Sequence, residues 1–176
     1  MGCPLQTLTG IKANCAANLG GISEAWFGQY GQFEVTVNES AHTVSAITAV
    51  SGATDAKFYG YEFARQTGSL TSTITVDEAN GVRYYTNVAA LQFSRLEAEK
   101  HVEIEALAQG QLVGIFHDTN DNYWFVGYDS YMGLTEATAQ TGQAFSDLSG
   151  YNTSLSQISA HLPYKITKDT FEALIG

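Results

Sequence analysis

GVRYYTNVAALQFSRLEAEKHVEIEALAQGQ, residues 81–111, changes character at its middle. The run 81–93 is rich in Val, Tyr and Phe and reads as one extended strand of about a dozen residues, well beyond the usual ~5–6. Tyr84 and Tyr85 are adjacent, so they point to opposite faces. After Phe93, straight-chain residues and alanine take over. Ser94 can cap a helix with Glu97 three places on, and Gly110 can stop it in a left-handed conformation. Leu96, Ile104, Leu107 and Ala108 then approximate one apolar stripe, and Glu97, Glu99, Glu103 and Glu105 spread over the rest. A long strand delivering the chain into a helix is the frame on which the remaining segments are placed.

Upstream, GGISEAWFGQYG sets Ile22, Trp26 and Tyr30 between glycines. QFEVTV alternates Phe33, Val35 and Val37 against Glu34 and Thr36, the pattern of a half-buried strand. Segments 42–52, 56–65 and 70–76 read as further strands, the first two joined by the turn-rich SGATD and the third followed by the polar turn DEANG. Downstream, QLVGIFH and YWFVGY flank DTNDN, the geometry of a hairpin with a loop of about five residues. The last third offers LTEATAQTGQAFSDLSGYNTSLSQIS, then HLPYKI, then KDTFEALIG as a final helical turn or two. The chain reads as mainly β and as a single domain over 1–176, with no internal repeat and no linker-like stretch.

Composition narrows the function. Lys and Arg total 8 against 18 Asp and Glu, a net charge of −10, which opposes attraction to nucleic-acid phosphates or anionic lipid. Cys3 and Cys15 lack the paired spacing of a zinc site and read as buried free thiols. No window reaches the ~18 apolar residues that cross a bilayer, and no basic start precedes an apolar run, so no membrane is expected and synthesis in a cytoplasm is. Thr7 sits one place beyond the position a myristoylation signal needs.

HDTNDNYWFVGYDS, residues 117–130, concentrates Asp118, Asn120, Asp121, Asn122 and Asp129. Counted from Asp118 as a calcium loop, the sixth position, which must be Gly, is Tyr123, and the twelfth is Asp129 rather than Glu, so an Asx-type turn is the better reading. His42, His101, His117 and His161 fall in separate elements and match no ligand spacing. No G-x-S-x-G elbow and no phosphate-cradling glycine loop is present, and the helix carboxylates read as a solvated face. With no catalytic, cofactor-binding or metal-binding residues to name, the chain reads as a binding or building protein, not an enzyme. Its function is then sought in surfaces and strand edges.

At Thr141, Gly142, Asp147, Gly150 and Tyr151 the chain resembles a C-terminal segment of phage tail proteins, T-G-x-x-x-x-D-x-x-G-Y followed by an alternating strand. NLGGISEAWF, KFYGYEF, the long NGVRYYTNVAALQFSRL strand and the YWFVG hairpin follow in the order found in tailed-phage structural proteins. The resemblance covers most of the chain but not HLPYKITKDTFEALIG. It implies a tail tube protein of a long-tailed bacteriophage: two packed antiparallel sheets, as a sandwich or barrel, with one flanking helix. Such subunits form homo-hexameric rings that stack into a conduit for DNA ejection. The partners implied are copies of the same chain, other virion tail proteins and, passively, DNA. No cofactor is implied. Residues 1–20 would be an N-terminal arm and 160–176 a C-terminal extension, with the protein assembled in the host cytoplasm and residing in the virion tail.

Within that resemblance, an acidic subunit lines the bore with the charge of DNA, so that the duplex passes without sticking. The 81–93 run and the 32–50 region are the candidate bore-facing strands, with Glu34 the first candidate for a lumen charge. The DTNDN loop (Asp118, Asn120, Asp121, Asn122) and the SGATDAK turn (Asp55, Lys57) are candidates for contacts between subunits or rings. Two other readings fit the residues. One is a head-to-tail joining, tail-terminator or capsid-decorating virion protein. The other is a carbohydrate-binding β-sandwich using Tyr59, Tyr61, Tyr123 and Trp124.

Overall fold

The long run forms the longest strand of the molecule. A computed structural model describes residues 10–175; within them lie eleven strands and two helices, a mainly β architecture of two sheets. Strand β6 (Val82–Ser94) turns Asn87, Ala89, Leu91 and Phe93 inward, where they are buried, and leaves Tyr84, Thr86, Val88 and Ala90 on its other face. It lies between β5 (Gly68–Asp77) and β10 (Gly150–Ser159), and β9 (Gly133–Gln140) pairs with the far side of β10. The result is a four-stranded antiparallel sheet in the order β5-β6-β10-β9.

The remaining strands are β1 (Ile22–Gln29), β2 (Phe33–Asn38), β3 (Thr43–Ala49), β4 (Tyr59–Tyr61), β7 (Leu112–Asp118), β8 (Tyr123–Val126) and β11 (Tyr164–Ile166). They make a seven-stranded sheet in the order β2-β3-β11-β8-β7-β1-β4. Its pairings are antiparallel with one exception: β11 runs parallel to β3, which corrects the wholly antiparallel expectation. A strand arriving by crossover from the other sheet has no tight turn to reverse it.

Strand β7 explains the layering. Leu112 and Phe116 face one core while Val113 and Ile115 face another, so five consecutive residues are buried. The first core lies between the sheets and includes Phe27, Leu91, Phe116, Met132, Tyr151 and Leu155. Helix α1 (Ala98–Gln109) adds Leu107 to it. The second core, with Val44, Ile115, Phe125, Tyr164 and Ile166, takes Phe171 from helix α2 (Lys168–Ile175). There Phe171 packs on Trp26 at 4.6 Å and Tyr123 at 4.3 Å between ring centroids. Each such large apolar side chain contributes about 1.5–3 kcal/mol by leaving water. The larger sheet also curls: a Cβ added to Gly28 of β1 would meet the ring of Phe33, from the opposite edge strand β2, at 2.7 Å.

Several expectations are corrected. Ser94 is not a cap but the last rung of β6, opposite Gly150. Arg95 then turns with φ 67°, and α1 begins after Glu97 without a side-chain cap. Gly110 is extended at φ −82°, and Ala108 of the expected stripe is exposed. The strand expected over 56–65 shrinks to β4, three residues at the edge. The C-terminal extension is no appendage: β11 sits inside the larger sheet, and Tyr164, Ile166 and Phe171 are buried. Cys15 is exposed rather than buried; Cys3 lies outside the described residues. So does the first part of the expected arm, but residues 10–20 are exposed throughout and carry no helix or strand. Among the described residues no helix is long and apolar enough to cross a membrane.

Candidate functional site

The Asp118 loop is a stapled turn. Asp118 ends β7, and its carboxylate accepts hydrogen bonds from the backbone N–H of Asn120 (2.8 Å) and Asn122 (2.9 Å), from the Asn122 side-chain amide (3.1 Å) and from Trp124 Nε1 (2.9 Å). Burial alone would raise its pKa, but these donors outweigh burial and hold the carboxyl below its ordinary value. Its oxygens are therefore committed to its own turn, the Asx arrangement expected from the sequence. Asn120 and Thr119 reach outward instead. Asn120 accepts from Leu19 N–H (2.9 Å) and donates to Asn18 Oδ1 (3.0 Å), and Thr119 donates to the Leu19 carbonyl (2.7 Å). The loop thus fixes the point at which the arm leaves the body.

Asp121, at φ 62°, lies 3.0 Å from His117 Nε2, while Glu24 Oε2 lies 3.3 Å from His117 Nδ1. The imidazole also stacks on Tyr123 at 4.4 Å. Histidines that are distant in sequence converge elsewhere: His42 stacks on Tyr164 at 4.3 Å, and His161 lies 5.7 Å from the same ring. No local signal could have announced this, because β11 must first be inserted beside β3. Asp129, grouped with the calcium-like residues by sequence, instead accepts from Ser159 Oγ (2.7 Å) and Ala160 N–H (2.6 Å), tying the end of β8 to the end of β10.

Asp55 and Lys57 lie on a different connection, between β3 and β4, and both are exposed. Glu34 is exposed on β2, at one edge of the seven-stranded sheet. It does not share a sheet with the 81–93 run, so the two regions named for the bore are separate surfaces. Of the helix carboxylates, Glu97 pairs with Arg95 (3.3 Å) and Lys100 (3.1 Å), and Glu103 accepts from the Tyr61 hydroxyl. Burial, then that hydrogen bond, push the Tyr61 hydroxyl above its ordinary pKa. The aromatic set offered for sugar stacking does not form a platform. Tyr123 is buried, Trp124 spends its N–H on Asp118, and Tyr59 alone is largely exposed.

The largest unclaimed feature is the four-stranded sheet. Its outer strands β5 and β9 are 10 and 8 residues long, and among the described residues neither pairs with a further strand on its free side, although Met132, just before β9, bridges Leu112 of β7. Its outward face follows from the register. It carries Ser69, Thr71, Thr73, Thr75 and Asp77 on β5; Tyr84, Thr86, Val88, Ala90 and Gln92 on β6; Asn152, Ser154, Ser156 and Ile158 on β10; and Glu136 and Thr138 on β9. None of these side chains is buried. They include two carboxylates and no Lys or Arg. The sequence foretold β5 and β6, but neither β9 as a strand nor which face the second sheet would cover.

Against known proteins the chain stands apart: no protein-family model matches it, and neither a curated protein nor a solved structure is detectably similar.

Proposed function

We propose that the protein is a structural subunit of a bacteriophage tail tube, closing into rings through the free edges of its four-stranded sheet. The observation that carries this reading is the combination of two long edges that no other strand pairs among the described residues with an exposed, hydroxyl-rich face that bears no Lys or Arg. Unpaired strand edges are templates for pairing with another chain, and a closed ring removes them without allowing unlimited lateral growth. With β5 of one copy joined to β9 of the next, the outward faces form a continuous barrel lining. Asp77 and Glu136 give that lining the charge of DNA, and the absence of Lys and Arg leaves nothing to hold phosphates.

In this arrangement the seven-stranded sheet and both helices form the outer body of the ring, and Glu34 lies there rather than in the bore. Negative-stain microscopy of the purified protein tests the proposal. Rings or hollow cylinders with a central channel are expected; a strictly monomeric species at high concentration would overturn it.

A further inference from the structure

The hairpin of β5 and β6 outruns its neighbour β10. β10 pairs with β6 only as far as Ser159 opposite Tyr85, so beyond the Ile74–Tyr85 rung 75–77 and 82–84 form a two-stranded ribbon with no further strand beside it among the described residues. Its inward side continues the core-facing pattern of Leu70 beyond the point where the second sheet covers it. Ile74 and Val76 are consequently 53% and 59% exposed. Arg83, opposite Val76 on the same side, has no ion-pair partner among the described residues. A two-stranded ribbon with bare β-branched side chains is marginal alone and gains from being covered.

The other end of the same sheet offers a counterpart. A cleft of about 330 Å³ lies between β4, α1 and the far ends of β6 and β10, with Tyr61, Phe93, Ile104 and Leu107 forming an apolar lining. Glu62 and Glu103 also line it. The one cation there, Lys100, is engaged by Glu97 and by the carbonyls of Ser94 and Arg95. Two aliphatic side chains beside a free guanidinium at one end thus complement an apolar hollow flanked by carboxylates at the other.

We infer that the ribbon bearing Ile74, Val76 and Arg83 seats in the Tyr61–Leu107 cleft of a second copy stacked along the strand direction. A head-to-tail contact made by translation along the strand direction has no rotation to close it and so repeats along an axis. Ring closure uses the sheet's sides, whereas this contact uses its ends; it rests on the proposed ring only for the repeat of many copies.

The test is a mixture of two variants in a background with both native cysteines changed to serine: Val76→Cys in one copy, Ile104→Cys in the other. Under mild oxidation, a disulfide-linked heterodimer is expected in the mixture. A link no more abundant than that of either variant alone, or one formed mainly by Val76→Cys with itself, would overturn the inference. Charge exchange gives a second readout. Arg83→Glu should weaken axial association by roughly tenfold, and copies carrying Glu62→Arg should restore it. Failure of that rescue would also count against the seating. Single rings that never stack in Arg83→Glu leave the ring reading intact and support the end contact. Cross-linking without rings sinks the ring reading alone, and rings that stack normally in Arg83→Glu sink the end contact alone.

Discussion

The side-chain amide of Asn87 on β6 donates to Gln157 Oε1 on β10 at 3.0 Å, with both residues buried. Ser72 Oγ on β5 donates to Asn87 Oδ1 at 2.6 Å, and Gln157 Nε2 donates to the Ser130 carbonyl at 2.7 Å. Three strands of the small sheet are thus linked by polar side chains on its inward face, where an apolar residue would tolerate a slipped register. Asn87→Ala strands Gln157 and Ser72, and the expected loss is about 1–3 kcal/mol, read as a lower denaturant midpoint with unchanged slope.

Removal of Asp118 is expected to loosen the turn that positions the arm. Asp118→Asn keeps the size but loses the charged acceptor for Trp124 and Asn122, with an expected cost of about 1 kcal/mol at neutral pH. The folded carboxyl titrates below its unfolded value. Its stabilising effect is therefore fully present above the unfolded pKa, about 3.9, and is lost as pH falls through the lower folded value. Melting curves of the two proteins should differ at pH 7 and converge in strong acid.

Phe171→Ala should cost about 3–5 kcal/mol, because its ring is buried between Trp26 and Tyr123. Thermal unfolding would show this as a large drop in Tm. A small drop would mean that α2 is a loosely attached cover rather than part of the second core.

Gly150→Ala is expected to disrupt the fold more than a surface substitution in β10. An added Cβ would lie 2.1 Å from the Phe93 carbonyl oxygen and 3.0 Å from Ser94 Cα. Both are backbone atoms of the paired strand, so relief requires β6 and β10 to separate at that end. Overpacking of this kind costs about 1–3 kcal/mol or more, and amide exchange at the β6–β10 rungs nearest Gly150 should quicken first.

The two candidate bore surfaces give opposite expectations. Thr73→Lys puts a cation on the outward face of the small sheet, and Glu34→Lys puts one on the larger sheet. Under the proposed tail-tube function, particles built from Thr73→Lys should assemble yet deliver their genome about tenfold less efficiently at low salt, with partial recovery as salt rises. Glu34→Lys particles should behave as the parent does. The reverse ranking would move the bore to the seven-stranded sheet.

Strands marked by alternation, β-rich composition or a flanking turn were legible in the sequence. β2 lies where alternation puts it, β6 and the β7–β8 hairpin lie where their β-rich runs and the DTNDN turn put them, and Asp118 serves as the Asx anchor its neighbours suggested. What escaped depends on distant pairing. Ser94 has every local mark of a helix cap, but its hydrogen-bonding position is claimed by Gly150, far along the chain. Tyr164–Ile166 is too short, and too close to Pro163, to announce a central strand, yet it lies between β3 and β8. Glu34 was legible as a polar-face residue but not as belonging to a different sheet from Tyr84, since a two-residue period says nothing about which strands become neighbours.

Insertion of β11 between β3 and β8 has a kinetic consequence. A nascent chain cannot complete the larger sheet until residues 164–166 have emerged from the ribosome, so β3 must wait for a partner made long after it. Until then β3 and β8 each keep an unpaired edge, so the interval before residues 164–166 emerge is the one in which the growing chain is open to mispairing.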